Sequence, residues 1–173
     1  MERLYAPWRS AYLTGEKSGD CVFCGISQNP HLDTQNHVLF RDSICFVIMN
    51  RYPYNPGHFM VIPHQHVDSP ECLSLYHWQC LQQRIYEGVK LLYAFGANGI
   101  NVGFNIKEAA GAGIAPHLHG HVIPRFNRDT NFITTIAQTR VYGVDFEAIY
   151  TNLKAKAIQY FQPLKEKHED AQF

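Results

Sequence analysis

The sequence predicts an α+β fold, an antiparallel sheet of about five strands with helices packed on one face. Three observations carry that expectation. Short β-branched and aromatic runs are separated by turn residues, two longer segments repeat apolar residues every three or four positions, and the order is strands, helix, strands, helix. With 173 residues the chain has the length of one ordinary domain. It reads as a single unit over 1–173, with an N-terminal extension at 1–20 and a C-terminal helix and tail at 145–173.

Taken in order, 15–33 reads as a loop-rich approach to the first strand. Residues 38–40 and 44–49 are apolar runs on either side of Arg41-Asp42-Ser43, which predicts a hairpin. Prolines and a glycine make 50–57 a connection. A third strand is expected at 58–62, ended by Pro63, and a fourth at 100–106, introduced by the turn pair Asn98-Gly99. Between them Leu75, Trp78, Leu81, Ile85, Val89, Leu92 and Phe95 form a helical stripe that wants a sheet to cover. A second helix, roughly 145–162, sets Ile149, Leu153, Ala157 and Phe161 on one side and stops at Pro163, before a charged tail.

Composition narrows the function classes. Apolar residues make up 46% and charged residues 17%, and 15 basic side chains balance 15 acidic ones, so neither disorder nor a polyelectrolyte face is indicated. Zero net charge speaks against tight unspecific binding to nucleic acid, and no such partner is expected. The longest apolar runs, such as 59–62, fall far short of the roughly 18 residues of a membrane span. The first residues lack a basic start followed by an apolar stretch. A soluble, cytoplasmic protein without a membrane partner is expected. The five cysteines, at 21, 24, 45, 72 and 80, do not form a disulfide framework and fit a reducing compartment.

Histidine is the residue to follow, with ten in the chain. In Pro116-His117-Leu118-His119-Gly120-His121-Val122-Ile123-Pro124-Arg125 every second residue at the centre is a histidine. Residues i, i+2 and i+4 of a strand face one way, about 6.5–7 Å apart at each step, so His117, His119 and His121 are expected to line one face while Leu118, Gly120 and Val122 turn towards the helices. A single histidine on such a face is ordinary core. Three would each need partners for two ring nitrogens, which points to a site. The ladder could bind a metal or present one imidazole as a nucleophile. Just upstream, Ala109-Ala110-Gly111-Ala112-Gly113-Ile114 is a glycine-rich bend whose backbone N–H groups could cradle phosphate.

These residues resemble the histidine triad (HIT) superfamily of nucleotide hydrolases and transferases. The resemblance rests on His117 through Ile123, on Asn50 through Pro56-Gly57-His58 with the strand that follows, and on Cys21-Val22-Phe23-Cys24. It spans about residues 20 to 132. Tyr5-Ala6-Pro7-Trp8-Arg9, Pro124-Arg125-Phe126 and Asp129-Thr130-Asn131-Phe132 look more narrowly like the branch containing bacterial diadenosine tetraphosphate phosphorylases. The resemblance implies that His119 attacks the α-phosphate of a nucleotide and becomes a covalent nucleotidyl-histidine. It implies that His121 and His58 complete the phosphate contacts and that Asn50 holds ribose. The residue chemistry agrees, because an imidazole with a pKa near ~6.5 is mostly neutral above pH 7 and needs no base to activate it. His121, Asn105 and the bend at Gly113 and Ile114 are expected to supply donors to phosphate oxygens. Ile44 and Phe46 are expected near the base, although ordinary strand core accounts for them at least as well, and Asn50 also reads as a turn residue.

Cys21 and Cys24 have the spacing of a zinc knuckle, with a redox pair as the rival reading. No second close pair of cysteines exists, so histidines are expected to complete the site. In zinc-containing relatives the remaining ligands match His66 and His117. The resemblance therefore implies a closed, structural Cys2His2 zinc site built from Cys21, Cys24, His66 and His117. Two departures stand out. Gly120 replaces an apolar residue and is expected to loosen the packing behind the strand. Ala112-Gly113-Ile114 lacks the Gln or Ser that many hydrolase relatives carry. Water, inorganic phosphate or another nucleotide as acceptor would make the chain a hydrolase, a diadenosine tetraphosphate phosphorylase or a transferase. The rivals from other classes are a metalloenzyme in which His117, His119 and His121 share one ion, and a zinc-containing nucleotide-binding module with little turnover. Relatives join two sheets across an interface, so a homodimer is expected.

Overall fold

The hairpin predicted at the Arg41-Asp42-Ser43 turn opens the sheet in the computed structural model, which describes residues 21–130, 132, 136 and 143–162. Strand β1 (Val38–Arg41) pairs antiparallel with β2 (Cys45–Met49), and β2 with β3 (Phe59–Pro63). Asp42 shapes the turn by accepting from the backbone N–H groups of Ile44 and Cys45 at 2.7 and 2.8 Å. Beyond β3 the sheet continues through β5 (Gly120–Arg125) to β4 (Gly99–Phe104), giving the order β1-β2-β3-β5-β4 with every pair antiparallel. The expected five-strand α+β sheet is therefore present. The N-terminal extension, with Tyr5-Ala6-Pro7-Trp8-Arg9, and the tail from Pro163 lie outside the described residues.

Alternation along the strands divides two cores. Cys45, Val47, Met49, Phe59, Val61 and Val122 face α2 (Leu75–Phe95) and α3 (Phe146–Tyr160), which contribute Leu81, Ile85, Leu91, Leu92, Ile149, Leu153 and Ala157. Burying each leucine contributes about 1.5–3 kcal/mol. Helix α2 begins at Ser74, whose side chain accepts from the N–H of His77, and ends at Gly96 in the left-handed conformation, φ 109°. Asp145 caps α3 in the same way through the N–H of Ala148. The fully buried Arg84 links α2 to the hairpin through Asp42 and to the end of α3 through the carbonyl of Gln162.

Several boundaries differ from the sequence expectation: β3 takes in Pro63 rather than ending before it, and three others differ more. The region read as a loop contains a helix, α1 (Val22–Gln28), which packs Phe23 against Phe46, Ile48, Met60 and Ile62 on the face opposite α2 and α3. Helices therefore sit on both faces, the two long ones on one. Strand β4 ends at Phe104 rather than at 106. Strand β5 starts only at Gly120, because the backbone before it pairs elsewhere: the N–H of Leu118 donates to the carbonyl of Val67 at 2.6 Å.

Gly120 does not loosen the packing. Its cross-strand partner is Phe104, whose ring lies where a side chain would otherwise stand: a Cβ built at Gly120 would sit 2.6 Å from that ring. The ring also packs against Trp78 with centroids 5.2 Å apart.

Candidate functional site

The side-chain alternation read from the sequence continues through His117 and His119 even though both precede the ladder. Leu118, Gly120 and Val122 are buried towards α2, and the three histidines emerge on the other face, each with a different partner.

His119 is 4% exposed, and its Nδ1 lies 2.7 Å from the carbonyl oxygen of His117. A carbonyl only accepts, so Nδ1 carries the proton and Nε2 keeps its lone pair. Burial holds the pKa of this ring below the ordinary imidazole value, which favours the neutral form. The result is a neutral imidazole with an unprotonated Nε2, the form in which histidine is a nucleophile. Phe23 packs against it with ring centroids 5.4 Å apart.

His121 sits beside it, ring centroids 5.0 Å apart and nearly perpendicular at 82°. Its Nδ1 is 3.0 Å from Nε2 of the fully buried His58. At the other end of His58, Nδ1 accepts from the backbone N–H of Tyr54 at 3.2 Å. The backbone can only donate, which fixes the chain of protons: with both rings neutral, His58 carries its hydrogen on Nε2, His121 accepts at Nδ1, and His121 keeps a hydrogen on Nε2. The ring of Tyr54 stacks on His58 at 5.0 Å and 21°.

The other residues singled out from the sequence fall as follows. Asn50 lies against His58, its Nδ2 3.3 Å from Nδ1, while its Oδ1 accepts from the N–H of Tyr52 at 2.9 Å in a turn. Asn105 is half-buried and Gly113 exposed on the loop after β4. Ile114 packs against the Phe23 cluster, and its carbonyl accepts from the N–H of His117 at 3.2 Å. Phe46 is fully buried on the histidine face, stacked on His64 at 5.5 Å. Ile44 packs instead with the core beneath α2 and α3, apart from the histidines.

His117 turns to the cysteines. Its Nε2 donates to the carbonyl of Pro63 at 2.9 Å, which leaves Nδ1 bare and aimed at Cys21 Sγ, 3.3 Å away, and Cys24 Sγ, 3.6 Å away. His66 Nδ1 lies 3.0 Å from Cys24 Sγ, and all four ligand atoms fall within 4.8 Å of one another. Ordinary Zn–S and Zn–N bond lengths in a tetrahedron give ligand separations of about 3.5 Å, so the cluster has the size of a metal site. Burial, then the hydrogen bond and charge of Cys21, hold the Cys24 thiol above its ordinary pKa. A cation placed between the two sulfurs would stabilise both as thiolates. His64 is engaged elsewhere: Nε2 donates to the carbonyl of Asp42 at 2.9 Å and Nδ1 accepts from Ser27 Oγ at 2.7 Å.

Sequence reasoning missed Tyr54 and Asn55, which lie in a segment read only as a connection, and gave Asp129 no role beyond its family resemblance. Asn55 is the one that carries a signal, since an amide placed between proline-restricted residues of a tight loop tends to be a hydrogen-bonding anchor.

A family model described as "HIT domain" matches residues 31–128. Among curated proteins, the chain is 33% identical over 149 residues to an AP-4-A phosphorylase of Mycobacterium tuberculosis, covering 82% of this chain and 76% of that protein. It is 30% identical over 133 residues to the adenylylsulfatase HINT3 of Arabidopsis thaliana, covering 75% of this chain and 64% of that protein. Among solved structures, a Zn-bound histidine triad family protein from Mycobacterium smegmatis shares the fold with a TM-score of 0.66 at 24% identity, covering 81% of this chain and 94% of that one.

Proposed function

This chain belongs to the HIT domain family, and on that premise we propose that it is a nucleotide hydrolase or nucleotidyltransferase acting on dinucleoside polyphosphates through a covalent nucleotidyl-histidine at His119. The observation that carries this reading is the 2.7 Å hydrogen bond from His119 Nδ1 to the carbonyl of His117, which leaves Nε2 as a buried, neutral nucleophile. The Nε2 lone pair forms a bond to the α-phosphorus, and the bond from that phosphorus to the bridging oxygen breaks, its electron pair leaving with the rest of the polyphosphate. His121 Nε2–H donates to the phosphate oxygens where charge develops, and His58 holds His121 in that tautomer. Asn105 and the backbone at Gly113 and Ile114 are read as further phosphate contacts, and Asn50 as the ribose contact. An acceptor oxygen then attacks the same phosphorus, the P–N bond breaks, and its electrons return to Nε2.

Two acceptors give different products from diadenosine tetraphosphate. Water yields AMP and ATP, whereas inorganic phosphate takes up the adenylyl group as ADP and leaves ATP. The phosphate-using reading is favoured by the similarity to the Mycobacterium tuberculosis AP-4-A phosphorylase. Product analysis with and without inorganic phosphate distinguishes the two. Failure to consume the substrate under either condition contradicts both and favours a binding module.

Cys21, Cys24, His66 and His117 fit a structural zinc ion in charge and size, with every position of the tetrahedron filled by protein. Zinc bound there ties α1 to the segment that carries His119. The homodimer reading is supported by β4, which lies at the end of the sheet with Asn101, Val102 and Gly103 exposed. A monomeric mass at micromolar concentration contradicts it. Among the described residues no helix is long and apolar enough to cross a membrane and the cysteines are unpaired, which suits the reducing cytoplasm as the working compartment.

A further inference from the structure

His58 lies at the end of an irregular loop, yet the proposed chemistry needs it held against a neighbouring strand. A loop fixes a ring only if something buried ties it down. Asn55 is 2% exposed, unusual for an amide in a connection. Its Nδ2 donates to the carbonyl of Pro124 at 2.8 Å and to Asp129 Oδ2 at 2.9 Å, and its own backbone carbonyl accepts from the N–H of His58 at 3.0 Å. Asn55 thus joins the end of β5 to the backbone of His58.

Asp129 completes the tie from the far side. After β5 the chain turns back through Arg128, which has the left-handed φ of 68°, and the N–H of Asp129 donates to the carbonyl of Phe126 at 3.0 Å. The carboxylate receives Arg125 Nε at 2.6 Å and Nη2 at 2.8 Å in a two-pronged pair, together with the N–H of Phe126 at 3.2 Å. Arg125 shares the strand face of His121, four residues earlier. The loop bearing His58 and the strand bearing His121 are therefore clamped at a point outside both rings.

We propose that Asn55 and Asp129 are positioning residues that hold His58 against His121 and so keep His121 in the tautomer that offers Nε2–H to phosphate. This rests on the reading of His121 as the phosphate donor. Once the clamp is released, His58 Nε2 no longer satisfies His121 Nδ1, both tautomers of His121 populate, and the donor is present in only part of the molecules. Substrate binding, which draws on the whole pocket, is affected far less than the chemical step.

The test compares the wild type, Asn55→Ala and Lys154→Met. The last is a stability control, since Lys154 Nζ ties α3 to β1 through the carbonyls of Val38 and Leu39, at the other end of the sheet. Long-range 1H–15N spectra of 15N-histidine protein report the tautomer of each ring, and steady-state kinetics with diadenosine tetraphosphate separate kcat from KM. The expected result is an Nε2–H form of His58 and His121 in the wild type and in Lys154→Met. In Asn55→Ala the His121 tautomers mix, and kcat falls about 10- to 100-fold with KM little changed. Unchanged tautomers in Asn55→Ala, or the same mixing in Lys154→Met, overturn the proposal. Should Asn55→Ala fail to fold, Asp129→Ala takes its place: mixed His121 tautomers with a lowered kcat are expected, and unchanged tautomers overturn the proposal. A wild type that leaves the substrate intact overturns the enzymatic reading instead, and the spectra then decide the positioning alone.

Discussion

The carbonyl oxygen of His117 accepts the Nδ1–H of His119 at 2.7 Å, while the ring of His117 presents Nδ1 to the sulfurs of Cys21 and Cys24. One residue thus links the candidate metal cluster to the candidate nucleophile, through its backbone on one side and its side chain on the other. The histidines that alternate along the sequence turn to three different partners. His117 faces cysteines, His119 a carbonyl and His121 another histidine.

Replacing Cys21 or Cys24 by Ser is expected to abolish stoichiometric zinc, measured by elemental analysis of the purified protein. Losing a closed four-ligand site should destabilise the fold and lower the melting temperature. Nucleotide transfer should weaken without disappearing, because the ion touches no reacting atom. Unchanged zinc content in either variant contradicts the ligand assignment.

Gly120→Ala is expected to destabilise the fold by about 1–3 kcal/mol, because its Cβ would meet the Phe104 ring at 2.6 Å and Ile85 Cδ1 at 3.2 Å. The double variant Gly120→Ala/Phe104→Ala should be more stable than the sum of the two single losses, since removing the ring makes room for the methyl group. Strict additivity in denaturant melts would show that the ring and the glycine are not coupled.

Acid should act through Asp129. The Arg125 hydrogen bonds hold its carboxyl well below the usual carboxylate range, assisted by the N–H of Phe126 and by Asn55, against opposing desolvation. A depressed folded-state pKa adds stability above the unfolded value, about 3.9, and that stability is lost as pH falls further towards the folded value. With Arg125 partly exposed, Asp129→Asn is expected to cost about 1 kcal/mol at pH 7, and the gap to wild type should narrow below about pH 4. A gap that stays constant from pH 7 to pH 2 contradicts the electrostatic account.

Much of the frame was legible from the sequence because local chemistry and tertiary structure agree there. Apolar runs bounded by turn residues marked β1, β2 and β3, the stripe from Leu75 to Phe95 marked α2, and the histidine period survived even where the ladder did not. Helix α1 was illegible for a physical reason. Seven residues are too few to hold a helix in isolation, and its support comes from afar: Phe23 packs on the sheet, and Arg41 donates to the last carbonyls at Ile26 and Ser27. The late start of β5 has a similar origin, since the partner of Leu118 is Val67, outside any strand. At the site, periodicity grouped the histidines but could not deal them to their partners. His64 and His66 lie two residues apart, and the three-dimensional fold sends one to Ser27 and Asp42 and the other to Cys24. Asn55 carried only a local signal, since the Asp129 that gives it its significance lies 74 residues away.

Covalent nucleotidylation of His119 is read out by intact-protein mass spectrometry. Wild type and His119→Ala are mixed with diadenosine tetraphosphate and denatured without acid, since a phosphoramidate is acid-labile. A mass increase of one adenylyl group is expected in the wild type alone, with nucleotide products formed by the wild type and none by the variant. An adduct of the same mass on His119→Ala, or product formation by that variant at the wild-type rate, would contradict His119 as the nucleophile.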